Sequence, residues 1–203
     1  MVDFSSSRGY TEINNLKKFM TFLLGILAVI AVLVVWVAMS FNRLTILKNR
    51  GKEAWSDIDV QLKRRYDLIP NLVNTVKGYA SHESETFEKV IKARNQAMNA
   101  QGAVEQGKSE NMLKDTLKSL FALTENYPEL KANENFKHLQ EELTDTEDKV
   151  QAARRFYNSN VNSLNIKLEV VPSNIIGRIF GFKKMELFEV GDEEERQAPK
   201  VEF

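Results

Sequence analysis

The chain has 203 residues, with 28 Lys and Arg against 28 Asp and Glu, so its formal net charge is zero and its overall field gives no reason to expect a nucleic-acid partner. It contains no cysteine and only 2 histidines. This removes disulfides, thiolate nucleophiles and cysteine-based zinc or iron–sulfur sites, and leaves thin equipment for acid–base or metal chemistry, so no cofactor is expected.

Residues 1–18 read as an amino-terminal tail. From Phe19 to Met39 the sequence carries no charge and no proline. At the α-helical rise this run spans about 31 Å, the hydrocarbon thickness of a bilayer, so a transmembrane helix is predicted over residues 19–41. A cleaved signal peptide would need a shorter apolar region with a small-residue cleavage site after it, and neither is present. Phe19 and Phe22 at one end, with Trp36 and Phe41 toward the other, suit ring placement at the two headgroup layers. Arg8, Lys17 and Lys18 precede the run, and Arg43, Lys48, Arg50 and Lys52 follow it. That balance tilts only slightly toward a cytoplasmic domain.

Residues 42–171 are predicted to form an antiparallel bundle of long helices. Leu44, Leu47, Gly51, Ala54, Trp55, Ile58, Leu62, Tyr66 and Ile69 recur in steps of three and four on one helical face. Nothing breaks the pattern between Met39 and Ile69, so the membrane helix is expected to continue outward without a joint. A bend or stop is predicted at Pro70, which opens a second helix running through Ser81, His82 and Glu83 to about Ala100. Ala103 to Ser109, with Gly102 and Gly107, reads as a loop. A third helix places Met112, Leu113, Leu117, Leu120 and Phe121 inward and stops at Asn126-Tyr127-Pro128. Asn133 can begin a fourth, with Phe136, Leu139, Leu143, Val150, Tyr157, Val161 and Leu164 on its face. Short joints between four helices favour up-down-up-down packing, which returns the fourth helix to the membrane.

Residues 172–188 are apolar and basic together. Ile175, Ile176, Ile179, Phe180 and Phe182, with Arg178, Lys183 and Lys184 among them, suit either the headgroup interface or a contact within or between subunits. Residues 189–203 form an acidic tail, expected to be mobile or bound to a partner.

Arg64, Arg65, Asp67, Asn71, Tyr79, His82 and Glu83 crowd the first two predicted helices, and Arg154, Tyr157 and Asn158 sit on the fourth. One reading makes some of them an acid–base cluster. The reading taken here makes them a structural polar layer that fixes helix register, with no catalytic, cofactor or metal role. A di-metal carboxylate site needs Glu-x-x-His on two helices, and here Tyr79 precedes His82 and Asn135 precedes His138 at that spacing. No phosphate loop, nucleophile elbow or zinc-helix motif occurs in the sequence.

The stretches Glu53-Ala54-Trp55-Ser56, Gln61 to Val73 and Thr75 to Glu83 closely resemble the LemA family. So do Tyr127 to Lys131, Leu143 to Glu147, Ala153 to Asn158, Pro172 to Ile176, Phe180 to Phe182 and the closing Pro199-Lys200-Val201-Glu202-Phe203. Leu164-Asn165 departs from it, since the family tends to carry an aromatic before that asparagine. The resemblance implies a bacterial protein with an amino-terminal anchor and a bundle of four-helix type, without an agreed molecular activity. It also points to magnetosome membrane relatives and to association with membrane zinc metallopeptidases. Some relatives resemble lipoproteins with an external bundle, which opposes the charge tilt and leaves the orientation open.

The function expected is therefore non-enzymatic. A single-pass protein of the bacterial inner membrane would act as a scaffold that self-associates, through the Trp55 to Tyr66 face or the Ile175 to Phe182 segment, and engages other membrane proteins. The alternative is a sensor or adaptor that regulates a membrane metallopeptidase.

Overall fold

A computed structural model describes residues 4–188, with side chains from residue 16 onward; the acidic segment 189–203 lies outside the described residues. All regular structure among them is helical: α1 (Phe4–Lys77), α2 (Ser84–Asn99), α3 (Gly102–Thr124), α4 (Pro128–Ala132), α5 (Glu134–Glu169) and α6 (Ser173–Ile179).

The first helix is one piece of 74 residues, roughly 110 Å long. It carries the apolar run and then the first wall of the bundle without a joint, as the unbroken three-four pattern predicts. One helix is thus long and apolar enough to cross a membrane, and the most apolar stretch of it has no buried residue. Beyond the run the character switches, and Leu44, Ala54, Ile58, Leu62, Ile69, Leu72 and Val76 turn inward.

Their chief partner is α5, which runs antiparallel. Trp55 meets Tyr157 at 5.3 Å between ring centroids, and Arg64 meets Glu142 at 2.5 Å, so the register descends evenly along both helices. Asn133 caps α5 by accepting the Phe136 N–H at 3.0 Å and also donates to the Tyr79 hydroxyl at 3.0 Å, tying the two distal turns together. The paired α2 and α3 cover only the distal part of the α1–α5 seam. Nearer the apolar run, α6 and the extended chain 182–188 cover it instead.

Three sequence expectations are corrected. No break occurs at Pro70, which lies inside α1. A proline there deprives the Tyr66 carbonyl of its helical donor, and Arg94 of α2 supplies the missing hydrogen bond through Nε at 2.7 Å. The chain reverses instead at Gly78 to Glu83, where a helix was expected to pass through. There the Tyr79 and Ala80 N–H groups both turn back onto the Val76 carbonyl, and Ala80 is buried. Only this reversal returns Phe87, Val90, Ala93 and Ala97 to the core. The segment Ala103 to Ser109, expected as a loop, is the first two turns of α3. Gly102 adopts a positive φ of 80° at its start, and Ala103, Gln106, Gly107 and Ser109 are buried. The short α4, with Pro128 in its first turn, was not anticipated.

Candidate functional site

The most concentrated polar chemistry in the bundle lies where α1, α3 and α5 meet. Successive residues Arg65 and Tyr66 both point inward, Arg65 toward the α3–α5 side and Tyr66 toward α3. Arg65 Nη1 donates to Glu110 Oε2 at 2.9 Å, and Glu147 Oε2 stands 2.9 Å from the same nitrogen without a directed hydrogen bond. The Tyr66 hydroxyl donates to Glu110 Oε1 in a very short contact. Gln106 Nε2 reaches the Tyr66 oxygen at 2.8 Å, Glu110 Oε1 at 3.1 Å and the Ala97 carbonyl at 3.1 Å, closing the α2–α3 reversal.

Charge and burial compete at this junction. The side chains of Arg65 and Glu110 are 6% and 5% exposed, while that of Glu147 is 27% exposed. Burial pushes the Glu110 carboxyl above the usual carboxylate range, and the Arg65 charge and the Tyr66 and Gln106 hydrogen bonds pull the other way. Burial and the neighbouring Glu110 charge push the Tyr66 phenol strongly upward, so it remains a donor. The Arg65 Nη1, Tyr66 hydroxyl and Gln106 amide donors are each engaged by a neighbour within the cluster.

The residues singled out in the sequence scatter around this junction. Arg65 is its centre. Arg64 faces out to an ion pair with Glu142 at 2.5 Å, with Asp145 at 3.7 Å. Asp67, Asn71 and His82 are exposed and lie outside the junction, because each falls on the solvent side of α1 or on the distal turn. Tyr79 and Glu83 belong to that distal turn, far from Arg65 along α1. Arg154 borders a small polar gap beside Glu110, Glu147 and Phe188. Tyr157 and Asn158 hold a different element, described below. Glu110 and Gln106 were missed. Their signal was present: Ala103, Gln106, Glu110, Leu113 and Leu117 form one three-four stripe, two members of which are polar.

A second polar device clamps the extended chain 182–188 onto α5. Asn165 exchanges two hydrogen bonds with the Met185 backbone, at 2.9 and 3.0 Å, and Asn158 exchanges two with Phe188, at 3.0 and 2.8 Å. The Tyr157 hydroxyl donates to the Glu186 carbonyl at 2.8 Å. Seven helical residues advance about as far as three extended ones, roughly 10 Å, so the two amides meet the extended chain in register. Phe188 is thereby buried, with its ring 6.1 Å from Trp55. Trp55, expected as an interaction residue, is taken up within its own chain by Tyr157 and Phe188. Ile176 is buried and Phe182 half-buried, while Ile175, Ile179 and Phe180 stay exposed.

Among the described residues no three His, Asp or Glu side chains are grouped to hold a metal ion. An open cleft of about 890 Å3 lies between the distal end of α1, α2 and the start of α3. Val73, Phe87, Ile91 and Met112 floor it, with Lys77 and Lys92 at its edge. None of the polar residues nominated from the sequence lines it.

A family model described as the LemA family matches residues 54–203. The chain belongs to the LemA family. As a LemA-family chain it is similar to Magnetosome protein MamQ 2 of Paramagnetospirillum magneticum, 24% identical over 192 residues that cover 82% of this chain and 70% of the relative. It is 23% identical to Magnetosome protein MamQ of Magnetospirillum gryphiswaldense over 176 residues, 74% of this chain and 65% of that one. It is 26% identical to Protein LemA of Metamycoplasma hominis over 155 residues, 74% of this chain and 69% of that one. Neither the family description nor these names designate an enzyme. With its long apolar helix, this LemA-family chain fits a membrane-anchored bacterial protein.

Proposed function

We propose that the protein is a non-enzymatic, single-pass scaffold of the bacterial inner membrane that self-associates and organises other membrane proteins. One observation carries the reading: a single helix joins the apolar run to the bundle, whose buried Arg65 is ion-paired with Glu110 and Glu147. A rod of this kind holds its distal surface at a fixed distance from the lipid. The likeness to magnetosome proteins supports a role in membrane organisation. Because the Trp55 face is filled within the chain, contacts between copies fall to other surfaces. Crosslinking in native membranes, followed by mass spectrometry of the intact assembly in mild detergent, is expected to return defined oligomers with membrane-protein partners. Monomer alone across a wide range of expression levels would refute the scaffold.

The distal cleft favours a second reading, an adaptor that engages another membrane protein, with membrane zinc metallopeptidases the class to which the family resemblance points. Its apolar floor suits a partner helix. If Ile91→Glu and Met112→Glu leave the co-purifying proteins unchanged, this reading fails.

A further inference from the structure

The apolar run does not end clear of the bundle. Trp36 and Val37, in its last turn, pack with Phe41, Leu44 and Leu47 against Leu164, Ile176 and Phe182. Phe41 meets the rings of Phe180 and Phe182 at 4.9 and 5.6 Å between centroids. The α6 turn is therefore fixed at the level where the run reaches its end. Its outer face is nonetheless apolar: Val171 is 77% exposed, Ile179 69%, Ile175 53% and Phe180 50%. Exposed side chains of this kind beside a bilayer-spanning helix would be costly in water and are at home among acyl chains.

The charges around this face agree. Arg43, Lys167, Arg178 and Lys183 form no ion pair among the described residues, and Glu169, at the end of α5, is held by Lys184 at 2.5 Å. Arg43 and Lys167 border a cleft of about 150 Å3 shared with Trp36, Ser40 and the Val170–Ser173 turn. An indole, a hydroxyl and two uncompensated cations at the hydrocarbon boundary match a phospholipid headgroup.

We propose that α6 and the Val170–Pro172 turn lie in the headgroup layer of the leaflet from which α1 emerges, with a phospholipid phosphate seated between Arg43 and Lys167. The protein then grips one leaflet at two points, the α1 helix and the α6 face. This holds for either orientation in the membrane, and it rests on α1 spanning the bilayer.

Since the chain has no native cysteine, single labels report cleanly. The full chain in phosphatidylglycerol nanodiscs, labelled with an environment-sensitive fluorophore at Val32→Cys, Ile179→Cys or His138→Cys, is challenged with nitroxide lipids. Quenching is expected at position 32 by deep nitroxides and at 179 by shallow ones, with none at 138. Quenching at 32 while 179 behaves like 138 overturns the inference and leaves the span intact; no quenching at 32 removes the span and the inference together. For the phosphate seat, Arg43→Gln with Lys167→Gln is expected to cut headgroup-nitroxide quenching at Val171→Cys by at least about two-fold. An unchanged signal overturns the seat. Excess inorganic phosphate is expected to leave the wild-type signal unaltered, and competition by it would overturn the assignment to lipid.

Discussion

Replacing Arg65 by methionine tests whether the α1–α3–α5 junction is a register lock. The change keeps the length of the stem and removes the guanidinium, leaving Glu110 and Glu147 facing each other with Glu110 almost fully buried. Breaking one side of a buried ion pair costs about 3–5 kcal/mol. For a chain of this size that corresponds to a fall in Tm of roughly 10 °C. The loss depends on pH with a definite sign. Burial already raises the Glu110 carboxyl in the folded state above its unfolded value, so its contribution to stability is fully present below the unfolded pKa and is lost as pH rises through the folded one. Without Arg65 the largest opposing pull is gone and the raise grows. The variant should therefore be most destabilised at neutral and alkaline pH and recover toward the wild type near pH 5. Thermal unfolding of the detergent-solubilised full chain, followed by circular dichroism across pH, reads both effects. Adding Glu110→Gln should restore part of the loss. A loss below about 1 kcal/mol, or one that does not vary with pH, would refute the account.

Three further outcomes follow from the packing. Arg94→Gln should cost about 1–3 kcal/mol because it strands the Tyr66 carbonyl, and should cost less in a Pro70→Ala background where a helical N–H returns; equal losses in both backgrounds by urea titration would contradict the rescue. Asn158→Ala with Asn165→Ala removes four hydrogen bonds to the extended chain, so amide exchange at Met185 and Phe188 should accelerate at least about tenfold while α5 stays protected. Gly177→Ala places a Cβ 2.6 Å from Leu168 Cδ2, the movable end of a half-buried side chain, so a loss of no more than about 1 kcal/mol is expected by urea titration, abolished by Leu168→Ala; a larger loss would show that Leu168 cannot turn aside.

What the sequence made legible was whatever periodicity controls. The apolar run, the continuity of α1 past Met39, the inward faces and the Asn133 cap all follow from spacing and residue type. Local rules failed where a distant side chain decides the outcome. The Pro70 penalty is offset by Arg94, which lies 24 positions further along the chain. The glycines at 102 and 107 looked like punctuation, yet one takes the positive φ that opens α3 and the other is buried on its inner side. Within the polar network Arg65 stood out on its own helix, whereas Glu110 hid inside an apolar stripe. Asn158 and Asn165 could not be understood before it was known that an extended segment would lie against them, since their partners are backbone groups with no sequence signature.

Continuity between the apolar run and the bundle makes α1 a lever. Between Leu44 and Lys77 it projects about 50 Å, so rocking its lipid-embedded part by 10° would sweep the distal tip sideways by about 9 Å. Changes in bilayer thickness or curvature, which alter helix tilt, would thus arrive at the far end as displacement large enough to bring neighbouring molecules together or part them.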